Sequence, residues 1–342
     1  MVKSKCNIKR IILAIPLLTL LSKQTLIIYR YIDVLFMADM KIVFLGTSAA
    51  IPTQKRGLSS VVIKRAGELL IFDVGEGMQR NFLQTKLGIN SKMKVFITHL
   101  HIDHCLGLLG FFQTISLLGR TKKIDIYGES RLREFINENF RIINITLSFE
   151  IAVHVIDKEG VIASEDDYQI SCCRADHSVP AFSYCICEYP RPGIFNIKKA
   201  TELGIPKGNL YRRLQNGEDV VVDGKLIKSN EIVGPKRKGR KIGISGDTRP
   251  SSKLKNFFDS CDILVFESTY IHDYQNKAIE TFHSTSAEAA LLAKESNCNK
   301  LVLTHFSSRY NDPTILLDEA RTIHNNVDLA EDMKTFYIPY AE

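Results

Sequence analysis

The stretch FITHLHIDHCLGLLG, residues 96–110, constrains this chain more than any other: it sets three histidines and an aspartate within six positions, between two apolar runs. Met93 to Thr98 reads as a buried β-strand. Side chains alternate along a strand, so His99 and His101 leave it pointing the same way and can share one metal ion. A turn after Leu100 and Ile102 lets the adjacent pair Asp103 and His104 face a second ion, with an apolar helix from about Cys105 to Leu118 supporting the loop from below. Imidazoles and carboxylates without thiolates suit Zn²⁺ first and Mn²⁺ second, and none of the eight cysteines lies in a C-x-x-C pair.

Four ligands do not complete two ions, so the rest of the chain must supply more. Of nine histidines, three are used above. RADHSVPAFSY places His177 after a strand-like run, GISGDTR places Asp247 after KIGI, and LVLTHFSSRY places His305 after LVLT. Each follows an apolar strand at its exit, where open α/β sheets gather their functional loops.

Residues 41 to about 340 carry IVFLGTSAAIP, LLIFDVGEGMQ, THLHIDH, the single His177, SGDTR, HST and LTHFSSRY in that order. In these dispersed pieces the chain resembles the metallo-β-lactamase-fold hydrolases and, among them, the tRNase Z family, endonucleases that remove 3′ trailers from precursor tRNA. The H-x-H-x-D-H element alone points only to the superfamily. The resemblance implies two Zn²⁺ per subunit, one held by His99, His101 and His177, the other by Asp103, His104 and His305, with Asp247 bridging. Asp73 would orient a ligand imidazole, as metal-bound histidines require.

The chemistry implied is hydrolysis of a phosphodiester. Two ions lower the pKa of bound water to about 7 and neutralise charge on the attacked phosphate, and Asp103 would orient or deprotonate that water. The leaving 3′ oxygen needs a proton. His283, in FHSTSAEAALLAKES, resembles the family's general acid, with Glu267 of VFEST orienting it. Thr285 has a structural role, forming with Glu288 a capping box that opens a helix to about Ser296. Products would be a tRNA 3′-hydroxyl and a trailer 5′-phosphate.

Charge adds an independent argument for a nucleic-acid partner. The chain has 45 Lys and Arg against 38 Asp and Glu; Arg191 to Lys241 holds 13 of the former and 5 of the latter, leaving 32 against 33 elsewhere. All the excess positive charge therefore sits in one inserted segment, the mark of a phosphate-tracking surface. IKKATELGI reads as a short helix, GNLYRRLQNGE as a turn and second helix, and VVVDGKLI as a hairpin around Asp223 and Gly224. In the tRNase Z family the corresponding arm, at about 190–235 here, grips the tRNA elbow across a homodimer. Candidate RNA contacts are Lys207, Arg212 and Arg213 on this arm, Arg309 four residues after His305, and Arg56 in IPTQKRGLSS.

Three positions depart from the family pattern. Gly208-Asn209 stands where the arm often carries Gly-Pro. In IPTQKRGLSS, Lys55 is shifted by one position and Gly57 replaces an Asn, in a loop that disfavours substrates already bearing CCA. Ile102 stands where a Gly is common.

Residues 1–39 include an 11-residue apolar run, IILAIPLLTLL, short of the roughly 18 residues that span a bilayer. They read first as a leader outside the folded domain, an upstream start-site artefact or a disordered extension, with a membrane or targeting role the second reading; no stable membrane association is expected. The remaining residues, 40–342, suffice for one large core. Strands and helices alternate in two halves, to about Glu188 and from about Lys241, which predicts an α/β fold, the αββα sandwich, with the arm inserted. Eight cysteines without pairing spacing suit a reducing cytoplasm. The second functional reading is a hydrolase of small phosphodiesters, aryl sulfates or thioesters, which needs no basic arm. Redox di-iron relatives typically place Glu where His101 stands, and a non-catalytic RNA-binding protein would not need the full ligand set.

Overall fold

The computed structural model describes residues 40–340; the expected leader, 1–39, lies outside the described residues. Two seven-stranded sheets face each other. The first contains β1 (Met40–Gly46), β2 (Ser60–Arg65), β3 (Glu68–Phe72), β4 (Lys92–Phe96), β5 (Ile124–Gly128) and β6 (Ile151–Val155). The second contains β7 (Gly160–Ser164), β8 (Tyr168–Arg174), β9 (Phe182–Glu188), β12 (Lys241–Ile244), β13 (Ile263–Glu267), β14 (Leu301–Thr304) and β15 (Val327–Leu329). The last strand, β16 (Thr335–Tyr337), returns to pair with β1 at the edge of the first sheet. A separate hairpin, β10 (Val220–Val222) and β11 (Lys225–Ile227), belongs to the arm.

Side-chain alternation builds the layers. On β1, Met40, Ile42 and Phe44 enter the core between the sheets, whereas Val43 and Leu45 pack beneath the helices of the first sheet. On β13, Ile263 and Val265 face the other sheet, while Leu264 and Phe266 pack beneath the helices of the second. Both faces of each sheet are covered, which is why these strands read as near-continuous apolar runs. Helices Gly107–Leu117 and Leu132–Ile142 cover one outer face and Ser286–Glu295 and Thr314–Arg321 the other. The result is the expected αββα sandwich.

Two details differ from expectation. The second sheet starts at Gly160, well before the Glu188 boundary read from the sequence, because β7, β8 and β9 form an antiparallel edge that joins β12 through β9. Burial pattern tells a strand that it has two covered faces, not which layer it enters. The expected single helix from Cys105 is two, Ile102–Cys105 and Gly107–Leu117. The His104 carbonyl accepts the Val74 N–H at 2.7 Å and is thereby withdrawn from the helical ladder.

Between β9 and β12 the chain leaves the sandwich. Helices Ile197–Glu202 and Asn209–Gln215, the β10–β11 hairpin and the turn Ser229–Ile232 pack around Ala200, Ile205, Leu214, Val220, Ile227 and Ile232, a core of their own. Asp223 and Gly224 both have positive φ, 49° and 76°, the conformation a two-residue hairpin turn demands.

Candidate metal centre

The site forms where five loops leave the strand ends. β4 exits into Thr98 and His99, and the short helix that follows presents Asp103 and His104. This helix is seated by the loop after β3: Gly107 N–H donates to the Val74 carbonyl at 2.9 Å, and a Cβ on Gly107 would lie 2.2 Å from the Gly75 oxygen. Only glycine permits that approach. His177 follows β8, and its loop is tied to that of Asp247 by the Arg249 N–H donating to the Asp176 carbonyl at 2.9 Å. His305 follows β14, where Phe306 exchanges backbone hydrogen bonds with Thr47 and Ala49 beyond β1. Asp73 and His305 hold φ of 59° and 58°, a strained conformation for residues with a side chain, which the surrounding bonds enforce.

These loops bring together all seven residues read as metal ligands. Three sets of these residues each place their ligand atoms within 4.8 Å of one another: His99, His101 and His177; His99, His104 and Asp247; Asp103, His104 and His305; Asp247 and His305 form a fourth with His283. Asp247 Oδ2 lies 3.2 Å from His104 Nε2, 3.4 Å from His305 Nε2 and 3.8 Å from His99 Nε2, between the two groups. Asp103 Oδ2 lies 3.5 Å from both His104 Nε2 and His305 Nε2 and accepts the Ala50 N–H at 2.8 Å.

The outward hydrogen bonds fix which nitrogen of each ring faces inward. His104 Nδ1 is 2.7 Å from Asp73 Oδ2, and His177 Nδ1 is 3.0 Å from the Phe282 carbonyl; both must donate. Thr98 Oγ1 donates to Asp73 and Thr269 Oγ1 to Glu267, so each threonine oxygen is left to accept, from His99 Nδ1 at 2.9 Å and His305 Nδ1 at 3.0 Å. Four imidazoles are thus held with their Nε2 lone pairs pointing inward. His101 alone presents Nδ1, 3.0 Å from His99 Nε2 and 3.2 Å from His177 Nε2. Converging lone pairs and two carboxylates call for cations, and the buried Asp247 Oδ1 has no hydrogen-bond partner. The donor set fits two divalent ions of the zinc or manganese type.

Electrostatics agree with that reading. Burial lowers the pKa of His99, helped by neighbouring His104, and keeps it a neutral ligand. Burial would raise Asp103 and Asp247, but His104 and His305 outweigh it and hold both carboxylates ionised. Burial would lower His104, yet Asp247 and Asp73 raise it instead, so the carboxylates concentrate a demand for positive charge at this point.

His283 stands beside the cluster, its Nδ1 3.8 Å from Asp247 Oδ2 and 3.0 Å from Glu267 Oε1. Burial lowers its pKa, but Glu267 and then Asp247 raise it to about 9. Glu267 is 1% exposed and itself accepts from Thr248 and Thr269. The expected capping box is present: Thr285 and Glu288 bond each other's backbone at the start of helix Ser286–Glu295. Arg249 bonds both the His283 carbonyl and Glu288, locking the histidine to the helix start.

A family model described as Anti-Pycsar protein Apyc1 matches residues 40–187. The chain is 49% identical to the Ribonuclease Z of Nitrosopumilus maritimus over 294 residues, 86% of this chain and 98% of that one. The chain belongs to the ribonuclease Z family. It superposes on human tRNase Z, short form, with a TM-score of 0.64 and 29% identity over 87% of this chain and 99% of that one. A metallo-β-lactamase fold protein of Bacillus subtilis, YhfI, shares the fold at TM-score 0.61 and 17% identity, covering 87% of this chain and 98% of that one.

Within this ribonuclease Z fold the residues read as RNA contacts divide. Arg309 is exposed, its guanidinium 4.6 Å from the Tyr274 ring centre and 4.9 Å from that of Tyr270. Lys207, Arg212 and Arg213 are exposed on the arm, Arg212 bonded to Asn209 and Arg213 to Glu218. Arg56 differs from expectation: it is 7% exposed, and its Nη2 donates to the Tyr310 carbonyl at 2.6 Å. It fixes the loop that carries Arg309. The sequence reading passed over Thr98, Thr269, Phe282 and Arg249, which set ring orientation. Thr98 and Thr269 each adjoin a named site residue, His99 or the loop of Glu267, and that adjacency was the available signal.

Proposed function

We propose that this ribonuclease Z removes the 3′ trailer from precursor tRNA, leaving a tRNA 3′-hydroxyl and a trailer 5′-phosphate, with two Zn²⁺ per subunit. The observation that carries the proposal is the pairing of an inward-facing ligand set with His283 beside it, held by Glu267 at 3.0 Å. His99, His101 and His177 would hold one ion, Asp103, His104 and His305 the other, with Asp247 between. When bound, such ions place positive charge on the phosphate and acidify water. Asp103, ionised and aimed by the Ala50 N–H, orients the attacking water. His283 delivers a proton from Nε2 to the leaving 3′ oxygen, because Glu267 occupies Nδ1 and holds the charge in place. Arg309, exposed at the rim, meets a neighbouring phosphate.

The arm supports RNA as substrate: its basic side chains lie on a unit with a separate core, outside the catalytic layers. We further propose that the chain works as a homodimer in which one subunit's arm presents tRNA to the other. None of the seven described cysteines forms a disulfide, which suits a reducing cytoplasm. Among the described residues no helix is long and apolar enough to cross a membrane.

The test is cleavage of a precursor tRNA by the Met40-started chain beside Asp247→Ala, with product ends mapped and bound metal counted by mass spectrometry. A metal-dependent cut after the discriminator base, lost in the variant together with bound metal, is expected. No cut, with a small phosphodiester still hydrolysed, would transfer the protein to the small-molecule hydrolases.

A further inference from the structure

The arm has its own core, so something must fix its angle to the catalytic body, and the structure points to Tyr340. The arm's outgoing and returning stems form an irregular ladder. Arg191 and Arg237 exchange N–H to carbonyl bonds of 2.8 and 2.9 Å, and Phe195 pairs with Val233. Gly193 and Gly234 touch so closely that a Cβ on Gly193 would lie 1.9 Å from the Gly234 oxygen. A two-stranded ribbon of this length is pliant by itself.

At the root of that ribbon the Tyr340 ring is sandwiched between two guanidiniums, Arg191 of the outgoing stem at 3.2 Å and Arg240 of the returning stem at 3.8 Å from its centre. Arg240 also donates from Nη1 to the Ile338 carbonyl and from Nη2 to Tyr340 Oη, each at 3.0 Å. The segment bearing Tyr340 is anchored on the first sheet, where the Ile338 N–H donates to the Met40 carbonyl at 3.0 Å. The stems spring from β9 and β12 of the second sheet. One aromatic ring therefore joins both stems to the opposite layer of the sandwich. Glu188, 3% exposed at its side chain, neutralises the root by accepting from Arg240 and from Arg65 of β2. Two like-charged guanidiniums flanking one ring are otherwise unfavourable, so this arrangement is held by the aromatic face between them.

We propose that Tyr340 is a positioning residue that latches the arm at the angle needed to present tRNA, setting substrate affinity without entering the chemistry. This rests on the arm binding tRNA, as proposed above. The side chain is half-buried and lies at the root of the insertion, not in the metal cluster, so its loss should leave bond cleavage intact.

The test compares Tyr340→Ala and Tyr340→Phe with wild type, each metal-loaded. Tyr340→Ala is expected to raise KM for precursor tRNA roughly five- to thirty-fold, the order of two cation–π contacts, with kcat changed less than about twofold. Tyr340→Phe keeps the ring and should stay within about threefold of wild type. Turnover of bis(p-nitrophenyl) phosphate should be equal in all three. Hydrogen exchange should accelerate at the Arg191 and Arg237 amides in Tyr340→Ala, a readout independent of any RNA. Unchanged KM, or equal loss on the small ester, overturns the proposal. If wild type fails to cleave tRNA, the functional reading falls instead, and unchanged stem exchange then refutes the latch on its own.

Discussion

Replacing Glu267 by Gln isolates the proton donor. Glu267 Oε1 lies 3.0 Å from His283 Nδ1, and with Asp247 it holds the imidazolium at about 9 against a burial effect that acts downward. Because the folded value is raised, the donor is present below about 9 and is lost as pH rises through it. Removing the carboxylate charge takes away the largest raising cause and lowers the ring's pKa. At pH 7.5 the protonated donor is then depleted, and kcat/KM for precursor tRNA should fall. Ions in the cluster repel the imidazolium in both proteins, so the difference between the two pH profiles carries the test. The alkaline limb of precursor-tRNA cleavage should move to lower pH. Hydrolysis of bis(p-nitrophenyl) phosphate, whose phenolate leaves without a proton, should lose less than about threefold. Glu267 Oε2 also accepts from Thr269 N–H and Oγ1, so the amide leaves donors facing each other and costs ~1–3 kcal/mol of stability, read separately by thermal melting. An unmoved limb, or equal loss on both substrates, would refute the assignment of His283 as the acid.

Further outcomes follow from the same geometry. Glu188→Gln removes the carboxylate shared by Arg65 and Arg240, whose side chains are 6% and 1% exposed, and should cost ~3–5 kcal/mol in urea unfolding. Burial would raise Glu188, but Arg240 and Arg65 hold it low, so its contribution is full above about pH 4.3 and is lost as pH falls through the depressed value; the variant should show a shallower acid limb of stability. Replacing residues 194–233 by a direct Gly193–Gly234 junction should preserve the fold, since those backbones already touch, and should abolish tight tRNA cleavage while small phosphodiester turnover continues. Persistence of tRNA cleavage at wild-type KM would separate the arm from substrate binding. Chelation followed by Zn²⁺ or Mn²⁺ add-back should remove and restore both activities together, with two ions bound per chain at saturation.

The sandwich was legible because both faces of its strands are covered, and such strands announce themselves as apolar runs bounded by Gly, Asp and Ser. The arm hairpin was legible for a different reason: Asp223-Gly224 between the triplets Val220–Val222 and Lys225–Ile227 is a local signal needing no tertiary information. Layer membership was not. Tyr168–Arg174 is mostly buried and Phe182–Glu188 buried at all but one position, patterns that name no layer, and only their pairing through β9 to β12 assigns them to the second. The helix break at Leu106 was likewise tertiary, set by a backbone bond from Val74 that lies about thirty residues away.

Spacing in the sequence gathered the ligand residues, but it could not say which atom of each would serve, and that is where the site's specificity resides. Neighbouring histidines on one strand end, His99 and His101, use different nitrogens, because Thr98 occupies Nδ1 of one while the other turns its own Nδ1 inward. The threonines act as relays: Asp73 takes the Thr98 proton and Glu267 takes the Thr269 proton, so each carboxylate fixes an imidazole through an oxygen it polarises. Glu267 therefore serves two rings at once, His283 directly and His305 through Thr269. The proton donor and the ligand set thus share one buried carboxylate, so the Glu267→Gln comparison is made at saturating metal. Thr269→Val tests the division: it removes the relay to His305 while leaving the 3.0 Å bond to His283 in place. Its expected effect is weaker metal binding, on the order of 10- to 100-fold, with the alkaline limb unmoved. A shifted limb with unaltered metal affinity would show that Glu267 orients His283 only by way of Thr269, and the relay argument would fail.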